Sequence, residues 1–235
     1  MNGEKLKIPL HVAIIPDGNR RWAREKGFEA VFGHKKSAEY EHIKSLIDEA
    51  KKLGVKYISL WAFSTENWKR DKAEIETLFN LAHDFIKKYR AEAMKEGVRF
   101  RHIGRKDRIP KELASEIGKL EKETEGNSAI GVQLLLDYGG RDEMIRTFNK
   151  LLKKGANEIN EKTILDNLDT AGIPEPDLVI RTSGEMRTSG LMPFQSAYAE
   201  LYFCKKHFPD FGAKDLRKAV KEFGNRERRF GGNPQ

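Results

Sequence analysis

The chain has 235 residues, of which 38% are apolar and 34% charged, so it can bury a sizeable core and is not composed like a disordered protein. Lysine and arginine outnumber aspartate and glutamate by 44 to 36, and the net charge of +8 favours anionic partners, namely phosphorylated metabolites, lipid headgroups or nucleic acid. The single cysteine, Cys204, excludes an intramolecular disulfide and a cysteine-based zinc site.

Apolar runs alternate with charged amphipathic stretches along the chain, which predicts an α/β fold with a mainly parallel six-stranded sheet flanked by helices, in one domain covering residues 1–235. The predicted strands cover residues 12–15, 57–63, 98–103, 130–136, 178–180 and 201–203. The predicted helices cover residues 37–53, 74–96, 111–125, 141–153, 163–169 and 213–223. Residues 1–7 lack an apolar signal region and no apolar run is long enough to span a membrane, so we expect a cytoplasmic protein.

The first predicted strand leads into the most informative segment, LHVAIIPDGNRRW at residues 10–22. Pro16 and the Asp17-Gly18 pair break the strand into a turn. The turn presents a carboxylate and free backbone N–H groups, and it is followed by Asn19, Arg20, Arg21 and Trp22. Such a set suits a magnesium-bound diphosphate at the carboxyl end of a strand. A solvated Asp-Gly turn with surface charges is the ordinary alternative, and this segment alone does not decide between them.

Two later segments have a similar composition. RTSGEMRTSG at residues 181–190 follows the fifth predicted strand, and NRERRFGG occupies residues 225–232. Each combines guanidinium groups with hydroxyls or glycines, as phosphate-binding loops do. A polar loop and a frayed basic tail are the corresponding alternatives. The first segment would place a second anion-binding loop at a strand end of the same sheet.

Seven segments in order resemble the cis-prenyltransferases, the undecaprenyl diphosphate synthase family, over nearly the whole chain: HVAIIPDGN (11–19), FGHK (32–35), AFSTENW (62–68), YGGRDE (138–143), the loop 181–189, QSAYAELYF (195–203) and the tail 225–232. The resemblance implies a single catalytic domain, a homodimer and Mg²⁺ as cofactor. It also implies condensation of isopentenyl diphosphate with an allylic prenyl diphosphate, which forms a cis-polyprenyl diphosphate and releases inorganic diphosphate.

The resemblance also assigns roles to individual residues. Asp17 matches a catalytic, metal-binding carboxylate, Glu200 matches the second metal-binding carboxylate, and Asn67 matches a residue implicated in proton loss. Metal and arginine charges would stabilise the leaving diphosphate. The residues that match substrate-binding positions are Gly18, Asn19, Arg20, Arg21, Trp22 and His34 at the allylic site, Ser64, Thr65, Glu66, Trp68 and Arg70 over the reacting carbons, Arg181, Arg187 and Ser189 at the isopentenyl diphosphate site, and Arg228 and Gly231 in a tail that reaches the partner subunit's site.

An apolar stripe on the predicted helix 74–96 matches a helix that lines the hydrocarbon tunnel in this family, although core packing explains the same stripe. The chain also departs from the family pattern. Ala30 stands where many members carry an arginine, which Arg20 could replace, and residues 190–194 rebuild one wall of the site. We expect the bulk of Leu135 to shorten the tunnel, while Asp137 adds a charge with no assigned role.

These departures leave product length and primer open, so an irregular (head-to-middle) or short-chain synthase of the same fold is the first alternative. A non-catalytic partner subunit is a second alternative, but it would be expected to lose Asp17 or Glu200, and both are present. We expect no nucleic-acid partner, because the aromatic residues lie in apolar runs or site motifs rather than on a basic face. The positive charge is also compatible with transient contact at a membrane surface.

Overall fold

The computed structural model describes residues 7–228. Its six strands are β1 (His11–Ile15), β2 (Tyr57–Ser64), β3 (Val98–Ile103), β4 (Ile130–Tyr138), β5 (Leu178–Arg181) and β6 (Glu200–Phe203). They form one parallel sheet in the order β3-β4-β2-β1-β5-β6, which confirms the predicted sheet. All five residues of the central strand β1 are buried, as expected for a parallel strand covered on both faces.

The helices are α1 (Asn19–Glu25), α2 (Ala30–Ser37), α3 (Tyr40–Leu53), α4 (Lys72–Lys95), α5 (Lys111–Glu123), α6 (Gly140–Lys153), α7 (Glu161–Leu165) and α8 (Ala213–Gly224). No helix within residues 7–228 has both the length and the apolarity that crossing a membrane requires. Helix α7 is shorter than predicted and starts two residues earlier, because the Asn160 side chain caps it by accepting the Thr163 N–H over 2.9 Å.

Helices α1 and α2 were not predicted, and the predicted helix 37–53 begins only at Tyr40. Both helices are short, highly charged and without a clear apolar period. They form a pair because Gly33 allows α2 to approach α1 closely, since a Cβ at Gly33 would lie 1.8 Å from the Asn19 carbonyl oxygen. These two helices are therefore stabilised by packing against each other, and the sequence shows no local pattern that would predict them.

The sheet separates two cores. The larger core packs β-strand residues such as Val12 and Ile14 against α3, α4, α5 and α8, whereas Ala13 and Ile15 point into a smaller core on the opposite face. Ile15 pairs in register with Arg181, so the loops after β1 and β5 meet at the carboxyl ends of these strands. The neighbouring strand β2 has a register irregularity around Ala62, close to its own carboxyl end.

Candidate active site

The turn after β1 is held by the loops that follow two other strands. The Asp17 N–H donates to Thr182 Oγ1 over 2.8 Å, and the Thr182 hydroxyl donates to the Asp17 carbonyl over 2.7 Å. The Phe208 N–H donates to the same carbonyl over 3.0 Å. Gly18 then starts α1 with a left-handed φ of 93°. The turn is thus fixed at the carboxyl end of a central parallel strand, where ligands of open α/β sheets bind.

The Asp17 carboxylate is surrounded by donors. Its Oδ2 accepts from Arg181 Nη2 over 2.8 Å, while Oδ1 accepts from the Gly18 N–H over 2.6 Å and lies 3.5 Å from Arg21 Nη2. Burial alone raises the pKa of Asp17, but the Arg181 hydrogen bond and charge, with smaller contributions from Gly18 and Arg21, hold that pKa below its usual value. The result is an ionised, half-buried carboxylate, the form that binds a divalent cation.

Gly18→Ala is expected to weaken binding of inorganic diphosphate by about tenfold or more, because the turn would have to move. A Cβ at Gly18 would lie 2.3 Å from His207 Nδ1 and 2.5 Å from Ser183 Oγ, and φ is positive as well. The measurement is calorimetric titration with diphosphate. Gly27→Ala is the matched control, since Gly27 also has positive φ but open space around it. Equal affinities in the two variants would contradict a role for this turn.

Arg181 joins the two loops. It is buried, and its Nη1 donates to the Arg187 carbonyl and to Ser189 Oγ, both over 2.6 Å, while Nη2 binds Asp17. Its Nε–H is buried and has no hydrogen-bond partner among residues 7–228. A guanidinium with one unused buried donor beside a cavity is a ready ligand for an anionic oxygen.

A cavity of about 390 Å³ lies over the Asp17 turn, and four arginines line it: Arg20, Arg21, Arg24 and Arg70. Glu74 on α4 balances this positive wall. It accepts from Arg70 Nη1 over 2.9 Å and contacts His34 Nε2 at 3.1 Å and Arg20 Nη1 at 3.9 Å. Burial, and then the charge of Arg70, lower the pKa of His34 despite Glu74, which favours the neutral imidazole.

A second, larger polar cavity of about 700 Å³ adjoins Asp17, Arg181 and the 3₁₀ turn Thr65–Lys69 that follows β2. Ser64, Glu66, Asn67, Arg70 and Ser189 line it as well. The Asn67 side-chain oxygen accepts the Ser64 N–H over 3.0 Å and so caps this turn. The Asn67 amide therefore has its N–H donors left for a ligand, and its oxygen is not placed to take a proton.

A third cavity, of about 120 Å³, is apolar and lies between the sheet and helices α3 and α4. From the predicted stripe on α4, Leu78, Leu81, Ala82 and Phe85 line this cavity, whereas Ile75, Phe79 and Ile86 are buried in the core. The stripe therefore divides into residues that pack in the core and residues that face an apolar cavity. Three residues, Pro16, Asn19 and His34, line all three cavities, so the polar and apolar spaces meet beside the turn.

Two sequence expectations about β4 change in the structure. Leu135 does not shorten the apolar cavity, because strand alternation directs it into the smaller core on the opposite face, whereas Leu134 and Leu136 line the cavity. Asp137, which had no assigned role, is fully buried and accepts hydrogen bonds from Trp68 Nε1 over 2.8 Å and Arg108 Nε over 2.7 Å. It anchors the 3₁₀ turn rather than facing the cavities.

Several residues predicted to bind substrate do not line these three cavities. Trp22 is buried and stacks on Phe32, Trp68 packs on Phe63 and Phe79, and Thr65 packs against Gly139. The Arg187 side chain pairs with Glu185, and Arg228 binds Asp177 and the Tyr198 carbonyl of its own chain. Gly231 lies outside the described residues.

The two carboxylates predicted to bind metal do not meet within one chain. Glu200 is the first residue of β6, and it pairs in register with Leu178, the first residue of β5. It therefore lies at the amino ends of the strands, whereas Asp17 follows the carboxyl end of β1. From a strand rise of ~3.3 Å per residue, the two are on the order of 15 Å apart along the strands. Glu200 is held instead by Arg226 Nη1 over 2.9 Å. Across residues 7–228, no three His, Cys, Asp or Glu side chains converge as a metal-ligand group.

The structure adds four residues to the predicted site: Arg24 and Arg141 as lining groups, Thr182 as a support for the turn, and Glu74 as the partner of the arginine wall. Glu74 had a local signal, because it stands four residues after Arg70, in the first turn of α4. Arg141 stands within the YGGRDE motif. Thr182 acts through a contact with Asp17, 165 positions earlier in the chain, which no local pattern reveals.

Comparison with known proteins gives one consistent family. A family model described as putative undecaprenyl diphosphate synthase matches residues 15–231. An isoprenyl transferase of Aquifex pyrophilus is 43% identical over 226 residues, covering 96% of this chain and 97% of its own. An isoprenyl transferase of Fusobacterium nucleatum is 43% identical over 225 residues, covering 96% of each chain.

Two solved structures share the whole fold. Lavandulyl diphosphate synthase from Lavandula x intermedia, in complex with dimethylallyl diphosphate, superposes with a TM-score of 0.90 at 34% identity, covering 95% of this chain and 98% of that one. A probable undecaprenyl diphosphate synthase from Campylobacter jejuni gives 0.81 at 32% identity, covering 96% and 99%.

Proposed function

This chain belongs to the undecaprenyl diphosphate synthase family of prenyltransferases, and from that premise we propose that it joins isopentenyl diphosphate to an allylic prenyl diphosphate with Mg²⁺. The product is a cis-polyprenyl diphosphate. The observation that carries the proposal is the meeting of two polar, arginine-lined cavities with an apolar one beside Asp17. Diphosphate groups fit the polar spaces, and a prenyl chain fits the apolar space.

The allylic diphosphate occupies the arginine-lined cavity above the turn. Arg20, Arg21 and Arg70 bind its oxygens, and these charges stabilise the diphosphate as it leaves the allylic carbon. Asp17 would hold Mg²⁺, because its ionised oxygens face the cavity and Mg²⁺ commonly takes one or two carboxylates plus substrate phosphates. When bound, the ion neutralises charge on the diphosphate.

Isopentenyl diphosphate occupies the larger polar cavity. Arg181 binds its diphosphate through the Nε–H, which has no partner in the described part of the chain, and Ser189 lies beside it. Asn67 donates from its amide nitrogen to a diphosphate oxygen or a water. Asn67 thus orients the groups at the reacting carbons, and the proton lost from isopentenyl diphosphate goes to an oxygen of the released diphosphate.

The decisive experiment incubates the protein with Mg²⁺, isopentenyl diphosphate and primers from dimethylallyl to geranylgeranyl diphosphate. Products are identified by mass spectrometry and by the geometry of the new bond. Cis head-to-tail chains are the expected result. A branched product would favour irregular coupling, the second candidate, which the small apolar cavity and the likeness to lavandulyl diphosphate synthase support. Absence of any product would contradict both.

Product length is expected to follow the apolar cavity. Its volume of about 120 Å³ is comparable to a cavity of ~150 Å³ that holds a benzene molecule, so a short hydrocarbon tail fits without movement of α3 and α4. Phe85→Ala should enlarge the cavity and lengthen the chains by one or more isoprene units, read by mass spectrometry. Met94→Ala, an exposed α4 position, is the control.

For long products we propose release at a membrane surface, since transfer of an apolar polyprenyl tail from water into lipid is favourable.

The enzyme is proposed to act as a homodimer. Ile145, Phe148 and Leu152 form an apolar stripe on α6 with exposed fractions of 61%, 37% and 66%, and β6 is an edge strand of the sheet. Each of these surfaces could pair with its counterpart on a second copy of the chain, and we assign the interface to the stripe on α6. Ile145→Asp combined with Leu152→Asp should give a monomer by sedimentation equilibrium. Met94→Asp, which adds the same charge elsewhere, should leave the dimer intact; a dimer in both cases would place the interface elsewhere.

A further inference from the structure

Three linked side chains lie beside the Asp17 turn. Ser183 Oγ is 2.7 Å from His207 Nδ1, and His207 Nε2 is 3.1 Å from Glu25 Oε1. A carboxylate only accepts, so Nε2 carries the proton toward Glu25, and in the neutral ring Nδ1 accepts the Ser183 O–H. We call these three residues the His207 anchor. None of them lines the three cavities described above.

The anchor touches helix α1 at both ends. At the start of α1, the imidazole lies so close to Gly18 that a Cβ there would be 2.3 Å from His207 Nδ1. At the end of α1, the imidazole binds Glu25, the last residue of the helix. The next residue after His207, Phe208, donates its N–H to the Asp17 carbonyl. His207 and Phe208 therefore contact Asp17 in the turn, Gly18 just before α1, and Glu25 at the end of α1.

Ser183 is itself held in an unfavourable backbone conformation. Its φ is 76°, in the left-handed region that non-glycine residues rarely adopt. Its N–H donates to the Lys206 carbonyl over 2.7 Å, and the following Gly184 N–H donates to the Cys204 carbonyl over 2.8 Å. Surrounding contacts thus maintain a strained residue so that its hydroxyl meets His207, a pattern that occurs at functional sites.

We propose that His207 is a positioning residue for the allylic diphosphate, acting through Gly18 and α1. The inference rests on the proposed function, in which Arg20 and Arg21 of α1 bind that diphosphate. Serine, histidine and glutamate also occur in this order in hydrolases, but Ser183 is only 7% exposed and its Oγ faces the Gly18 backbone. No substrate carbonyl can reach it, so the anchor supports the turn and performs no chemistry.

The experiment measures binding of geranyl diphosphate with Mg²⁺ by calorimetry, without isopentenyl diphosphate, and then both KM values and kcat. His207→Ala should weaken geranyl diphosphate binding by about 10- to 100-fold, as loss of supporting contacts does elsewhere, while the KM for isopentenyl diphosphate stays unchanged. His207→Asn can restore the contact to Ser183, and His207→Gln the contact to Glu25. Partial recovery in either variant is expected, because each restores one end of the anchor.

His42→Phe is the matched control. The His42 ring packs edge-on against Phe208, the residue after His207, with the ring centroids 5.0 Å apart. Phenylalanine keeps an aromatic ring at this position, so the replacement should leave geranyl diphosphate binding unchanged. Asp17→Asn separates the two levels of inference. If Asp17→Asn binds geranyl diphosphate normally, the assignment of the cavity itself is wrong. If Asp17→Asn weakens binding but His207→Ala does not, or if both KM values rise equally in His207→Ala, the anchor has no positioning role.

Discussion

Asp17→Asn should lower kcat by about 10³-fold while leaving the folded structure in place, because the amide keeps the shape of the carboxylate but loses its charge. The Gly18 N–H and Arg181 Nη2 donate to different oxygens of Asp17, so the single side-chain oxygen of asparagine keeps one of these two hydrogen bonds and loses the other. The variant loses the anionic oxygens that face the diphosphate cavity. The measurement is single-turnover product formation at saturating substrates and Mg²⁺, with circular dichroism to confirm folding.

The same variant has a pH signature. The pKa of Asp17 is held below its usual value in the folded state, so the wild-type protein gains stability above the unfolded-state pKa of about 4 and loses it as pH falls through the lower folded-state value. Asp17→Asn removes this contribution, so its stability should change less between neutral and acidic pH. A variant with near-normal kcat, or one unfolded at neutral pH, would contradict the assigned role.

Arg181→Ala should reduce kcat/KM for isopentenyl diphosphate by about 10³-fold or more, since it removes the donors proposed for that diphosphate and leaves Asp17 without its nearest cation. Arg181→Lys is the informative companion variant. A lysine keeps the charge but cannot donate to Ser189, the Arg187 carbonyl and Asp17 from one rigid plane, so we expect a loss of about 10²-fold. Steady-state kinetics with each substrate varied in turn provides the measurement.

Arg21→Lys serves as the control for charge alone, because Arg21 contacts Asp17 only at 3.5 Å and is 43% exposed. It should affect the allylic substrate more than isopentenyl diphosphate. If Arg181→Lys has normal kinetics, Arg181 supplies only a point charge. If both Arg181 variants alter the allylic KM alone, the two diphosphate sites are assigned the wrong way round.

The sequence predicts the sheet well because its central strands β1, β4 and β5 are apolar runs bounded by turn residues and are buried along their length. It also predicts the Asp17 turn and Arg181 as candidate site positions, since the turn follows β1 and Arg181 ends β5. Helices α1 and α2 were missed because their pairing depends on the close approach at Gly33. Strand alternation places Leu135 on the opposite face of β4 from Leu134 and Leu136. The sequence does not show which of the two faces carries the cavity, so the direction of Leu135 could not be predicted.

Other parts of the site depend on contacts between distant residues. Thr182 supports Asp17 across 165 positions, and Trp68 reaches Asp137 across 69. The resemblance assigned Trp22, Trp68 and Arg187 to substrate; in the structure Trp22 stacks on Phe32, Trp68 donates to Asp137, and Arg187 pairs with Glu185. These contacts depend on how distant segments fold together, and a motif read along the chain does not show them.

Glu74 has a consequence for how this site meets its ligand. Before any anion arrives, its carboxylate already contacts Arg20, His34 and Arg70 and keeps these groups oriented toward the arginine-lined cavity. Ordering long, flexible side chains costs conformational entropy, and here much of that cost has been met during folding. An incoming diphosphate therefore encounters a preorganised receptor, so its association should be fast and should require little rearrangement of the protein.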